Sequence, residues 1–104
     1  GIIVLSAFIS PFREDRARVR GLVPHGEFIE VFCDSSVETC ESRDVKGLYK
    51  RAREGEIPHF TGISSPYEIP VNPEIAVKTD EMTLEDSVSK IVDYLLVRGV
   101  LSSK

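Results

Sequence analysis

Residues 1–8, GIIVLSAF, are apolar and β-branched almost without interruption. A strand wetted on one face alternates polar and apolar residues, whereas one covered on both faces does not, so this run predicts a strand inside a parallel sheet. Parallel strands need long crossovers, and the chain supplies them. After a stop at Pro11 comes an arginine-rich helical stretch with apolar positions at Val19 and Leu22. A second strand is expected over residues 28–34 (FIEVFCD), then a short helix capped by Ser35 or Ser36. A helix resumes over 46–54 after an interruption at Gly47, Gly55 ends it, and 57–70 reads as an irregular loop. A third short strand, 75–78, ends at Thr79 and Asp80, and Thr83 caps a last helix in which Val88, Ile91, Val92, Leu95 and Leu96 recur at helical spacing. The alternation implies an α/β fold, a parallel sheet flanked by helices. Three strands alone would leave two long apolar edges. The chain also starts inside its core, with no initiating Met, polar lead-in or turn, so a preceding segment is expected.

At 104 residues, 41% hydrophobic and 29% charged, the composition is that of one small globular domain. A formal charge of −4 argues against general nucleic-acid binding, so any basic site is local. No apolar run reaches the roughly 18 to 20 residues that cross a bilayer, and the start lacks the charged region of a signal peptide, so no membrane is expected and a cytoplasmic location is. Cys33 and Cys40 lack metal or redox spacing and read as reduced, partly buried thiols, and His25 and His59 lack the spacing of zinc ligands. No metal site is expected in these residues.

The stretch 44–70, DVKGLYKRAREGEIPHFTGISSPYEIP, is not built like core. Cations at Lys46, Lys50, Arg51 and Arg53 precede the triplet Phe60, Thr61 and Gly62 on a long connection, which suits an anionic ligand with a flat ring, such as a nucleotide. Ser10, where the first expected strand meets the following helix, has two open readings: a ligand contact at the carboxyl end of a parallel strand, or an N-cap.

The segments SAFISPFREDR, FCDSSVETCESRDVKGLYKRAREGEIPHFTGISSPYEIP and NPEIAVKTDEMTLEDSV resemble the adenylylsulfate kinases, with RDVKGLYKRAREGEI followed by FTGI the most specific part. These enzymes phosphorylate the 3′-hydroxyl of adenosine 5′-phosphosulfate (APS) with ATP, giving PAPS. The resemblance covers essentially the whole chain and implies the C-terminal portion of a P-loop kinase domain, with residues 44–70 as a lid. It implies Lys46 as the catalytic cation near the transferring phosphoryl, and Ile9, Ser10, Lys46, His59, Phe60, Thr61 and Gly62 as the APS site, with Phe60 stacking on adenine. Arg43, Met82 and Ser87 fall where the family surrounds ATP. A bland reading stands beside each: Lys46 as a solvated lysine, Phe60 as an anchor holding the loop down.

Two departures matter. No GxxxxGK[ST] sequence occurs, so the phosphate loop and the ligands for Mg²⁺ that accompany ATP are expected in a half that is absent here. Ser64 replaces the aspartate common in the family's FTGID. The resemblance further implies a homodimer and a possible fusion to, or association with, ATP sulfurylase. The alternative is a non-catalytic nucleotide-binding or assembly module lacking the P-loop.

Overall fold

The computed structural model describes residues 2–102. Its elements are α1 (Arg13–Arg20), β1 (Val31–Cys33), α2 (Val37–Ser42), α3 (Leu48–Arg53), β2 (Ile75–Val77) and α4 (Leu84–Val97). β1 and β2 pair in parallel, Val31 opposite Ile75, Phe32 opposite Ala76 and Cys33 opposite Val77. The crossover between them carries α2, α3 and the long loop that follows, as a parallel pair requires.

Both strands are shorter than expected, and at the amino end a side chain closes the ladder. Ile75 N–H donates to the Glu30 carbonyl at 3.1 Å, but the Glu30 N–H turns to the Glu74 carboxylate at 2.7 Å, which ends the pairing. At the other end Asp34 N–H donates to the Val77 carbonyl at 2.8 Å. Ile75 and Val77 are buried, as is Ala52 of α3, and α4 packs on β2. Lys90 of α4 reaches over the outer edge of β2 and donates from Nζ to the Ala76 carbonyl at 2.6 Å.

The strand expected over residues 1–8 does not form among the described residues, and Gly1 lies outside them. Ile2 is 91% and Leu5 88% exposed. A strand is stable only where a neighbour takes its N–H and C=O groups, and no described segment lies beside this one to do so.

The helix ends follow the expected chemistry in two cases. Ser36 Oγ accepts from Thr39 N–H at 3.1 Å to start α2, and Thr83 Oγ1 accepts from Asp86 N–H at 3.1 Å to start α4. α1 departs from expectation. Val19 and Leu22 are exposed, the N-cap position is Phe12 and not Ser10, and the Arg13 N–H at the helix start is taken by Glu68 Oε1, 55 residues away, at 2.7 Å.

α1 is docked instead by charge. Arg20 grips Glu74 with both terminal nitrogens, at 2.8 and 2.7 Å, and its guanidinium lies 4.8 Å from the Phe28 ring centroid. Arg16 Nε lies 3.3 Å from Glu30, the two side chains being only 12% and 17% exposed, and Arg20 reaches Glu30 at 3.9 Å. One connected set of four charges therefore ties α1 to the amino ends of β1 and β2.

The hydrogen bonds from Arg20 hold the Glu74 carboxyl below its ordinary value, against the opposing effect of its burial. A depressed carboxyl contributes stability that is present above its unfolded-state pKa and is lost as pH falls through the lower folded one. Glu74→Gln should destabilise the fold at pH 7 by about 2 kcal/mol, since it breaks a bidentate charged pair. The same substitution should flatten the loss of stability below about pH 4.5, the ordinary glutamate range. Urea midpoints measured from pH 7 to pH 3 check both.

Candidate functional site

Parallel α/β sheets present their ligand-binding loops at the carboxyl ends of their strands. Here that end carries Asp34 after β1 and Thr79 after β2. Arg43, the C-terminal cap of α2, donates to the Thr79 carbonyl at 2.7 Å and reaches its hydroxyl at 3.3 Å. Two segments expected around ATP are thus joined at one place. Met82 follows in the turn after β2, its N–H donating to the Lys78 carbonyl at 2.9 Å. Ser87 is only 7% exposed, in the first turn of α4.

Lys46 stands exposed in the turn between α2 and α3 and forms no ion pair among the described residues. Gly47 closes that turn with φ +68°, its N–H on the Asp44 carbonyl at 3.1 Å. The Asp44 carboxylate takes the Tyr49 and Lys50 N–H groups at 3.2 and 3.1 Å, so it caps α3 from outside the helix. Sequence reasoning missed this role, though an acid three residues before a glycine at a helix start is its signal. The expected cationic cluster is smaller than its count. Arg51 pairs with Glu56 at 3.0 Å, and Arg53 with Glu41 at 2.6 Å, a hydrogen bond that holds Glu41 below its ordinary value. Lys46 and Lys50 are left without a carboxylate partner among the described residues.

Residues 60–65 form a self-contained turn. The Phe60 carbonyl accepts from Ile63, Ser64 and Ser65 N–H at 3.0, 2.8 and 3.0 Å, while Ser64 Oγ accepts the Phe60 N–H at 2.7 Å. Gly62 N–H donates to the Ser65 carbonyl at 2.8 Å. Gly62 has φ +88°, and a Cβ there would meet Val37 Cγ2 at 3.3 Å, so this glycine is required both by conformation and by its approach to α2. Thr61 and Ser65 bridge across the turn. The Phe60 ring sits edge-to-face on Tyr49, centroids 4.9 Å apart.

Ile9 and Ser10 are exposed, on a segment with no regular structure. What places them is Arg16, which donates to the Ser10 carbonyl at 2.6 Å and to the Glu68 carbonyl at 2.5 Å, with Tyr67 5.7 Å under its guanidinium. Arg13 Nε adds a bond to the Ile69 carbonyl at 2.8 Å, and Glu68 N–H donates to the Pro11 carbonyl at 2.8 Å. The Ser10 segment is therefore stapled to Glu68 and Ile69. Among the described residues the only non-glycine residues with positive φ are Ser10 (+39°) and His59 (+54°). Strain of that kind in non-glycine residues collects where a chain must present groups to a ligand.

A cleft of about 330 Å³ lined by Arg20, Pro24, His25, Phe28, Tyr94 and Arg98 lies at the amino ends of the strands and contains none of the expected site residues. Among the described residues no group of three or more His, Cys, Asp or Glu could hold a metal ion, and no helix is long and apolar enough to cross a membrane. Cys33 and Cys40 are free thiols.

Ser64 does with a hydroxyl what an aspartate could do with a carboxylate, namely accept the Phe60 N–H. Ser64→Asp should keep the turn, and Ser64→Ala should cost about 1 kcal/mol. Amide exchange at Phe60 should accelerate in Ser64→Ala and stay near the parent rate in Ser64→Asp.

The Adenylylsulphate kinase family model matches residues 1–78. Adenylyl-sulfate kinase of Acaryochloris marina is 65% identical over 101 residues, which are 97% of this chain and 49% of that protein. Adenylyl-sulfate kinase of Marinobacter nauticus is 59% identical over 103 residues, 99% of this chain and 52% of that protein. Among solved structures, the Mycobacterium tuberculosis APS kinase CysC in complex with AMPPNP and APS matches with a TM-score of 0.78 at 44% identity, covering 85% of this chain and 51% of that one. The chain spans about half the length of the curated relatives it matches. On the family match over residues 1–78 and the identity to these relatives, the chain belongs to the adenylylsulfate kinase family.

Proposed function

We propose that these residues form the C-terminal portion of an adenylylsulfate kinase domain, which transfers the γ-phosphate of ATP to the 3′-hydroxyl of APS and yields PAPS. The observation that carries the reading is the strained backbone. Ser10 and His59 fall in the two motifs proposed to contact APS, and Arg16 holds the Ser10 carbonyl while the bond from Phe60 N–H to Ser64 fixes the residue after His59. A relative solved with APS and an ATP analogue supports both substrates.

Phosphoryl transfer spreads negative charge over the transferred group, so a protein accelerates it by positioning the reactants and supplying cations. In the proposed complex APS lies against Ile9, Ser10 and the turn 59–62, with adenine on Phe60 and close backbone approach at Gly62. Lys46, exposed and without a carboxylate partner, brings its ammonium to the phosphoryl when the lid 44–70 closes and excludes water. Arg43 and Met82 border the ATP base, with Ser87 supporting that wall from inside α4. Mg²⁺ bound with ATP would neutralise phosphate charge, but the described residues offer it no carboxylate cluster, and no step above runs through it. The reading also includes a homodimer, a cytoplasmic location, and fusion to or association with ATP sulfurylase.

The test is PAPS formation by a kinase that joins these residues to a phosphate-loop half such as that of the Acaryochloris marina relative. Lys46→Ala should lower turnover by about 100-fold or more while leaving the thermal midpoint nearly unchanged. Near-parent turnover would remove Lys46 from the mechanism. Absence of PAPS in the unmutated kinase, with APS still bound, would instead assign the chain to a non-catalytic nucleotide-binding module.

A further inference from the structure

The turn 60–65 fixes the backbone of Phe60 but not its ring. Every hydrogen bond in that turn ends on a main-chain atom of Phe60 or of its neighbours, and none constrains its side-chain torsions. The ring takes its orientation from what it packs on, which is Tyr49, at a centroid distance of 4.9 Å and an interplanar angle of 72°. That is the edge-to-face arrangement favoured by the charge distribution of two aromatic rings.

Tyr49 is itself held from two directions. Its N–H is taken by Asp44 at 3.2 Å, which sets its place in the first turn of α3. Its side chain is half-buried, and burial first and the neighbouring Cys40 thiol second push the phenol above its ordinary value. The turn carrying Lys46 leads directly into the same helix through Gly47. One short helix therefore faces the lysine turn with its start and the Phe60 turn with its tyrosine.

We infer that Tyr49 is a positioning residue for the adenine-stacking ring of Phe60, and through it a determinant of affinity for the nucleotide acceptor; this rests on the reading of Phe60 given above. An aromatic platform held before the ligand arrives does not have to be ordered at the moment of binding, and the cost of ordering otherwise appears as weaker affinity. The role belongs to the ring and not to the hydroxyl. It also belongs to APS and not to ATP, whose border residues Arg43 and Met82 lie on other segments.

Steady-state kinetics on the joined kinase, with APS and ATP varied separately, test this in Tyr49→Leu, Tyr49→Phe and Phe60→Ala. Tyr49→Leu should raise KM for APS about three- to tenfold, the worth of one edge-to-face pair, with KM for ATP and kcat near parent values. Tyr49→Phe should restore KM for APS to within about twofold of the parent. The inference is overturned if Tyr49→Leu leaves KM for APS unchanged while Phe60→Ala raises it, or if Tyr49→Phe is as impaired as Tyr49→Leu. It is also overturned if Tyr49→Leu raises KM for both substrates together with a fall in thermal midpoint, since the residue would then only hold the fold. An unchanged KM for APS in Phe60→Ala would sink the reading of Phe60 itself, and the role of Tyr49 with it.

Discussion

Four charged side chains, Arg16, Glu30, Arg20 and Glu74, hold together a molecule with little apolar interior. Among the described residues the buried hydrophobic side chains are Ala52, Ile75 and Val77. An exposed ion pair contributes little, but a bidentate guanidinium–carboxylate contact with a main-chain N–H on the same carboxylate is a stronger arrangement. Glu74 satisfies that description, taking two donors from Arg20 and one from the Glu30 backbone. Its position before β2 makes one side chain both the terminator of the ladder and the dock for α1. The proposed contact of Ser10 depends on α1 being fixed there, because Arg16 is the residue that places Ser10.

The sheet and the helix caps were legible where local chemistry decides them. Ser36 and Thr83 cap as their sequence positions predict, and β1 and β2 lie within the expected runs. The run at residues 1–8 was expected as a strand and forms none among the described residues, because a strand is a property of two segments and the pattern reports only one. α1 was misread for a related reason. Hydrophobic periodicity pointed to Val19 and Leu22, whereas the contact face is cationic and its partners, Glu30, Glu68 and Glu74, are distant in sequence.

In the candidate site, the sequence pattern proposes residues but not the supports between them. The chemistry of Lys46, Phe60 and Gly62 can be argued from one-dimensional pattern, and the structure places each in a turn. Asp44, Arg16 and Tyr49 act through partners, and only folding reveals those partners. The count of cations over residues 44–70 overstated the available charge, since Arg51 and Arg53 are occupied by Glu56 and Glu41. Sequence order also gave no sign that Arg43 would meet Thr79 across 36 positions.

The bond from Lys90 to the Ala76 carbonyl has a consequence for the sheet as a template. A strand edge invites another strand only where its donors and acceptors are free, and a cation laid across it is a common obstruction. β2 carries that obstruction at its middle residue, on the side turned away from β1. The two-stranded sheet is accordingly directional: one flank is sealed, and growth by a further strand is steered to the flank formed by Val31–Cys33.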